Sequence, residues 1–300
     1  MKNFTKIGFL LAFLAAIVLT ACEKQNDTIQ VVDDAAIQTY IRQNNLTMIK
    51  DVSGYYYNIT TPGTGADLKN SDSVFYSYSF KTLSGRVLNQ SNNLSIPGTF
   101  LGYTDRFIIN NTAYNLTPVR EVLAKLKRGG KASVIIPSNL AFGRNGIAAL
   151  DISSNENILV ELGIYTQSKR HEIDELQIDN FLTANSLTAI KDASRVRYIV
   201  TQQGTGTEPI SNSSTLSVNY TGRFLTGSTF DTSSGTPVEF ELSGTIKGWQ
   251  ILKNFKAGTK VRIFVPSDLA YGEDGSSQGA VAIPGNTCLD FDIEIVSVKN

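Results

Sequence analysis

The chain has 300 residues, with 27 Lys plus Arg against 27 Asp plus Glu, so its formal net charge is zero. That balance argues against nucleic-acid binding, which needs a basic face or tail, and an inventory of one His and two Cys excludes a His/Cys zinc site and a disulfide framework. At 41% hydrophobic and 18% charged it is globular outside its ends, and long enough for one large domain or two small ones.

The first 21 residues read as an export signal. Lys2 and Lys6 precede IGFLLAFLAAIVLTA, an apolar run too short to span a bilayer of about 30 Å. Leu19-Thr20-Ala21-Cys22 resembles the lipobox of bacterial lipoproteins, in which the chain is cut before the cysteine and the thiol is acylated. This reading makes Cys22 the lipidation site and membrane anchor. It places the protein outside the cytoplasm, at the outer membrane by preference, with the leaflet left open. Residues 22–32 are then a short polar tether.

An internal repeat sets the domain count. Residues 46–65, LTMIKDVSGYYYNITTPGTG, match residues 187–206, LTAIKDASRVRYIVTQQGTG, at an offset of 141, with eleven of twenty positions identical. Upstream of each copy, DDAAIQTYIRQNN and IDELQIDNFLTAN read as amphipathic helices with an acidic start. Downstream, LKRGGKASVIIPSNLAFG at 126–143 matches FKAGTKVRIFVPSDLAYG at 255–272. The expected units are 33–168 and 174–300. Their junction is the polar stretch Thr166–Glu172, which makes the single histidine, His171, an exposed junction residue.

In the second unit, Leu216 to Phe224 and Val238 to Leu242 are strand candidates. Lys260 to Val265 alternates and stops at Pro266, and Leu289 to Ile295 alternates strictly. Only Ile246 to Phe255 reads as helix, with Trp249 and Leu252 on one face. Each unit is therefore α+β, an antiparallel sheet with one short helix packed across it. Cys288 reads as a small strand residue without a redox role.

Gly275-Ser276-Ser277-Gln278-Gly279 satisfies the nucleophile-elbow pattern G-x-S-x-G. That chemistry needs a strand before the serine, a helix after it and a histidine to accept its proton. The segment lies in a Gly- and Ser-rich loop and His171 lies far upstream. The hydrolase reading fails.

Six pieces of the second unit carry more. They are Val218-Asn219-Tyr220-Thr221-Gly222, Gly227 to Ser233, Ile246-Lys247-Gly248-Trp249, Pro266 to Gly272, Ile283-Pro284, and Phe291-Asp292-Ile293-Glu294. In this order and spacing, over about residues 195–298, they resemble the FKBP-type peptidyl-prolyl cis-trans isomerases. The resemblance implies two tandem FKBP-like domains, each a sheet wrapped around a short helix, with an aromatic pocket between sheet and helix. By that resemblance Tyr220, Phe230, Trp249, Tyr271 and Phe291 are pocket aromatics, with Trp249 as the floor. It also makes Asp231 a buried acid beside the pocket, Ile246 the residue whose amide meets the ligand carbonyl, and Ile283 the flap residue. It implies proline-containing polypeptides as substrates, a macrolide as a further ligand, and neither cofactor nor metal. The sequence departs from the family pattern in a shortened loop between Asp231 and Pro237 that lacks the Arg partnering the acid. It departs again at Val238, where many members carry Phe, and at Thr245, where many carry Val.

In the first unit Tyr78 matches Tyr220, but Leu88 and Asn89 stand for Phe230 and Asp231. Arg120 takes the Trp249 place, Phe142 the Tyr271 place and Val160 the Phe291 place, and no Ile-Pro follows Phe142. The expectation is a catalytic second unit and a first unit with a dismantled pocket. The rival is a non-catalytic peptide-binding or chaperone lipoprotein.

Overall fold

The computed structural model describes residues 28–91, 98–109 and 112–300. The export signal, Cys22 and the start of the tether lie outside the described residues. The first repeat comprises α1 (Ile29–Gln43), β1 (Ile49–Lys50), β2 (Tyr56–Thr61), β3 (Ser73–Thr82), β4 (Val87–Gln90), β5 (Gly98–Phe100), β6 (Arg106–Ile109), β7 (Thr112–Asn115), α2 (Thr117–Ala124), β8 (Lys131–Ile136) and β9 (Ile158–Ile164). The second comprises α3 (Arg170–Ala184), β10 (Ile190–Lys191), β11 (Arg197–Gln202), β12 (Thr215–Phe224), β13 (Thr229–Thr232) and β14 (Val238–Glu241), then a 3-10 helix (Lys247–Asn254), β15 (Lys260–Val265) and β16 (Leu289–Lys299). The fold is α+β and every strand pairing is antiparallel, as the alternating patterns require.

The two sheets have the same order. It is β1-β2-β8-β9-β3-β4 with β5 on β3 in one, and β10-β11-β15-β16-β12-β13 with β14 on β12 in the other. In the second, Leu216 and Val218 of β12, Val261, Ile263 and Val265 of β15, and Phe291, Ile293 and Ile295 of β16 pack on the 3-10 helix through Trp249, Ile251 and Leu252. The alternation expected of Lys260–Val265 breaks at Phe264, which is fully buried on the opposite face. There it meets Ile178 and Leu182 of α3 and Cys288. A strand covered on both faces reads as a continuous apolar run, which explains Ile263-Phe264-Val265 and its counterpart Val134-Ile135-Ile136.

The outer helices differ from expectation at their starts. Helix α1 begins at Ile29, inside the segment assigned to the tether, and α3 begins at Arg170, so His171 is a half-buried helical residue. The aspartates of the presumed acidic starts do not face water. Asp33 and Asp174 are buried, and each holds a serine that follows the central strand. Asp33 Oδ2 accepts from the Ser138 amide at 3.0 Å and its hydroxyl at 2.7 Å. Asp174 Oδ2 accepts from the Ser267 amide at 2.8 Å and its hydroxyl at 2.5 Å. Arg170 adds an ion pair to Asp174 at 2.8 Å. Cys288 precedes β16 rather than standing in it. It is buried beneath α3, and burial pushes its thiol well up.

The offset between repeats falls from 141 before β3 to 129 after α2, and the hairpin β6–β7 lies in the first unit alone, within the stretch where the offset changes.

Removing the Asp174 carboxylate strands a buried amide and a hydroxyl and takes a carboxylate partner from Arg170. Asp174→Ala is expected to lower stability by about 2–4 kcal/mol. Asp33→Ala, with no cation paired to Asp33 among the described residues, is expected to cost about 1–3 kcal/mol. Urea unfolding of both variants checks the order; equal losses would show that Arg170 adds nothing.

Candidate functional site

A cavity of about 240 Å³ opens between the sheet and the 3-10 helix of the second unit. Its wall includes Tyr220, Phe230, Asp231, Ile246, Trp249, Tyr271 and Phe291, all but one of the residues singled out from sequence. The exception is Ile283. It is buried and lines a neighbouring groove of about 610 Å³ with Asp274, Gly275, Ser276, Ser277, Gln278 and Pro284. Tyr271 borders both spaces, so the two are neighbours on either side of it.

Trp249 is the hub. Its ring lies edge-on to Tyr220 at 5.5 Å, Phe240 at 5.7 Å and Phe291 at 5.5 Å, and Phe230 meets Phe291 edge-on at 5.6 Å. Edge-to-face geometry suits the ring quadrupoles and adds about 0.5–1.5 kcal/mol per pair beyond burial. The tryptophan reaches this place because its helix is short and pinned. Thr245 Oγ1 and Gln250 Nε2 both donate to the Leu242 carbonyl, at 2.8 and 2.7 Å. The Trp249 amide donates to the Ile246 carbonyl at 3.0 Å, and the Ile246 amide donates to no described residue.

Gly222 makes room for the rings. A Cβ there would stand 2.6 Å from Phe230 and 2.9 Å from Phe291, its partner across the β12–β16 ladder. Phe240 and Gly244 also line the cavity, and sequence reasoning passed over both. Val238 and Phe240 share a face of β14 by the two-residue period. Weight placed on the missing Phe at Val238 hid the Phe two residues on, although the same alternation points to it.

The polar groups are few. Tyr220 donates its hydroxyl to Asp231 Oδ2 at 2.7 Å, and Asp231 Oδ1 accepts the Thr232 amide at 2.9 Å. Burial foremost, and then the Asp231 carboxylate, push the Tyr220 phenol well above its ordinary range, so it stays a donor at any physiological pH. The Tyr271 phenol is raised for the same two reasons, although its side chain is 38% exposed. Asp231 is not the buried acid expected: it is exposed, at the mouth. The short loop behind it folds back on Tyr220 through Ser233, whose amide donates to the Tyr220 carbonyl at 3.0 Å and whose hydroxyl accepts the Tyr220 amide at 3.0 Å. Among the described residues no arginine pairs with the carboxylate.

The flap is a closed loop. Ser276 and Ile283 exchange amide–carbonyl bonds of 2.8 and 2.7 Å, and Gly275 has φ +69° with no room for a Cβ beside the Ile283 carbonyl. Ser277 lies in this loop, and no helix follows it, consistent with rejecting the nucleophile elbow.

The first unit has the same scaffold with its site filled. Phe80 stands where Gly222 does and Val160 where Phe291 does, both fixed by the strand pairing. The extra hairpin inserts Phe107 edge-on against Tyr78 at 5.5 Å and Phe80 at 4.9 Å, and Tyr114 against Phe142 at 5.6 Å. Arg120 is half-buried and reaches Asp105 at 3.9 Å, which answers the cost of a cation at the floor. Ile152 pairs with Ile147 as Ile283 pairs with Ser276. The loop after Phe142 is thus closed by a bridge of the same kind without an Ile-Pro.

Rings set edge to face wall this cavity, and the flap loop borders the neighbouring groove. The sequence model of the FKBP-type peptidyl-prolyl cis-trans isomerases matches residues 206–296, which lie within the second unit. The chain is 42% identical over 105 residues to the FKBP-type peptidyl-prolyl cis-trans isomerase FkpA of Escherichia coli, covering 34% of this chain and 37% of that one. It is 36% identical over 137 residues to the outer membrane protein MIP of Legionella longbeachae, covering 44% and 57%. Among solved structures it is similar to the crystal structure of FkpA from Escherichia coli, at 34% identity and a TM-score of 0.37, over 43% of this chain and 61% of that chain. The chain thus spans less than two thirds of the length of the curated relatives it matches.

Gly222→Ala is expected to cost about 1–3 kcal/mol through overpacking and to move Phe230 or Phe291 into the cavity. Thermal unfolding together with near-ultraviolet circular dichroism of the aromatic region checks it. An unchanged aromatic spectrum would show that the rings do not depend on the glycine.

Proposed function

We propose that the second unit is a peptidyl-prolyl cis-trans isomerase acting on exported polypeptides, with its active site in the cavity over Trp249. The observation that carries this reading is the convergence of Tyr220, Phe230, Asp231, Ile246, Trp249, Tyr271 and Phe291 on one cavity of about 240 Å³. Rotating an X–Pro bond meets a barrier of about 18–20 kcal/mol and needs no nucleophile, metal or redox group. The planar amide is polar through resonance and the twisted one is not. An aromatic cavity that strips water from the amide therefore favours the twisted state relative to the planar one.

In this reading the proline ring lies on Trp249 and the Ile246 amide meets a substrate carbonyl. The phenol of Tyr271, held protonated, donates to a second carbonyl. Tyr220 orients Asp231 at the mouth. Each 1.36 kcal/mol taken from the barrier gives about tenfold in rate. A macrolide is a further ligand proposed for the same cavity.

The first unit is assigned no catalysis, because Phe107 packs on Tyr78 and Phe80, the residues that match Tyr220 and Gly222 of the cavity wall. That self-filled site supports a role as spacer or chain-holding surface, and it is the one feature that favours the non-catalytic reading for part of the chain. The lipobox, with the likeness to an outer membrane protein, supports an anchor at Cys22 and a location outside the cytoplasm.

In a proline-peptide isomerisation assay on the full chain, Trp249→Leu is expected to lower kcat/KM at least tenfold while the protein remains folded. Phe107→Ala in the first unit should leave the rate unchanged. Equal losses in both, or none in either, would overturn the assignment to the second unit. Cys22→Ala is expected to move the protein from the detergent phase to the aqueous phase in cell extracts, or leave it uncleaved; unchanged partitioning would remove the anchor.

A further inference from the structure

Charge is distributed unevenly over the second unit. Its arginines are all engaged in ion pairs, Arg170 with Asp174 as described above. Arg195 pairs with Asp268, Arg197 with Asp179, Arg223 with Asp290 and Asp292, and Arg262 with Asp290, at 2.5–3.2 Å. Lys260 is taken by Glu294 at 3.2 Å. The buried carboxylate of Asp290 sits between two guanidiniums, so the cations near the sheet are neutralised where they stand.

The cavity and flap groove are different. Asp231 is the charged side chain lining the first and Asp274 the charged side chain lining the second. Both are exposed, and neither belongs to an ion pair among the described residues. Asp231 is held in place by Tyr220 and the Thr232 amide, bonds that leave its charge uncompensated. Glu273, next to Asp274, and Glu239 and Glu241 on β14 are exposed and unpaired as well, and Lys247 is the cation nearest in sequence to the cavity-lining residues. Tyr271 borders the two spaces. A chain with its proline over Trp249 and its flanking residues in the flap groove therefore runs between two uncompensated carboxylates.

We infer that the site selects proline segments flanked by lysine or arginine, with Asp231 reading the cation at the mouth of the proline cavity and Asp274 reading it in the flap groove. This inference rests on the isomerase reading of the same site. Exposed carboxylates in water attract a peptide cation modestly, so the expected preference is about two- to fivefold per charge. It should vanish as salt shrinks the screening length to about 3 Å at 1 M. Because both carboxylates are exposed at the edges of the two spaces, away from Trp249, the effect should fall mainly on KM.

The test uses the full-length protein and three matched proline peptides, with Lys, Leu or Glu two residues from the proline on either side. The expected order of kcat/KM at low salt is Lys above Leu above Glu, with the three converging at 1 M salt. Asp274→Asn is expected to reduce the Lys-to-Glu ratio for one side of the proline and leave the other side's ratio in place. A ratio near one at low salt, with the Leu peptide turned over normally, would overturn the charge selection and leave the isomerase standing. Turnover of none of the three by folded protein would remove both. A ratio that survives both 1 M salt and Asp274→Asn would show that the lysine is recognised through its carbon chain, and would also overturn the inference.

Discussion

Gly222 faces Phe291 across the central ladder of the second sheet, and a methyl group at that glycine would collide with Phe291 and Phe230 at once. The space it leaves lets two rings stand edge to face and form a wall beside Trp249. At the equivalent rung of the first sheet the sizes are exchanged, with Phe80 opposite Val160. The ring then projects from the other strand, and Phe107 closes over it. Protein interiors do not tolerate voids, so a rung of this kind is either walled and left open for a ligand or filled by the chain itself. One scaffold carries both solutions.

Holding such a cavity open requires a stiff sheet, and the stiffness comes from behind. Helix α3 covers the outer face of β15 through Phe264, and Arg262 lies over the Phe264 ring at 5.1 Å while bonding Asp290. Asp174 ties the same helix to the turn that follows β15, and that turn leads directly to Tyr271. The outer helix thus fixes the start of the flap without touching the cavity. The first repeat preserves this support in Asp33 and Ser138 although its cavity is filled. Support and site are physically separable: one depends on buried hydrogen bonds, the other on the sizes of a few rings.

The repeat, the antiparallel strands and most of the cavity wall were legible in the residues. Two-residue alternation identifies β12, β15 and β16 because one face of each is buried, and Trp249, Tyr271 and Phe291 stand in a recognisable order. Other features were hidden for definite reasons. Asp33 and Asp174 look like ordinary helix-start acids, because nothing local shows that a serine over ninety residues away will bond them. Asp231 looked buried by resemblance, yet its exposure depends on a loop whose path is set by Ser233 bonding Tyr220. Phe240 was overlooked because a substitution two residues earlier drew attention away from its face of the strand.

Local sequence alone determined the export signal reading, the doubling of one unit, the strand periodicity and the identity of the aromatic set, since each depends on spacing along the chain. Tertiary structure alone decided which aromatics enclose space and which fill it. It placed Phe107 of the inserted hairpin against Tyr78, put Ile283 in the flap groove rather than the aromatic cavity, and left Asp231 and Asp274 unpaired beside the two spaces while the arginines were neutralised elsewhere. Those outcomes depend on distances between residues far apart in the chain. Such distances are set by packing and strand register, which no local pattern encodes.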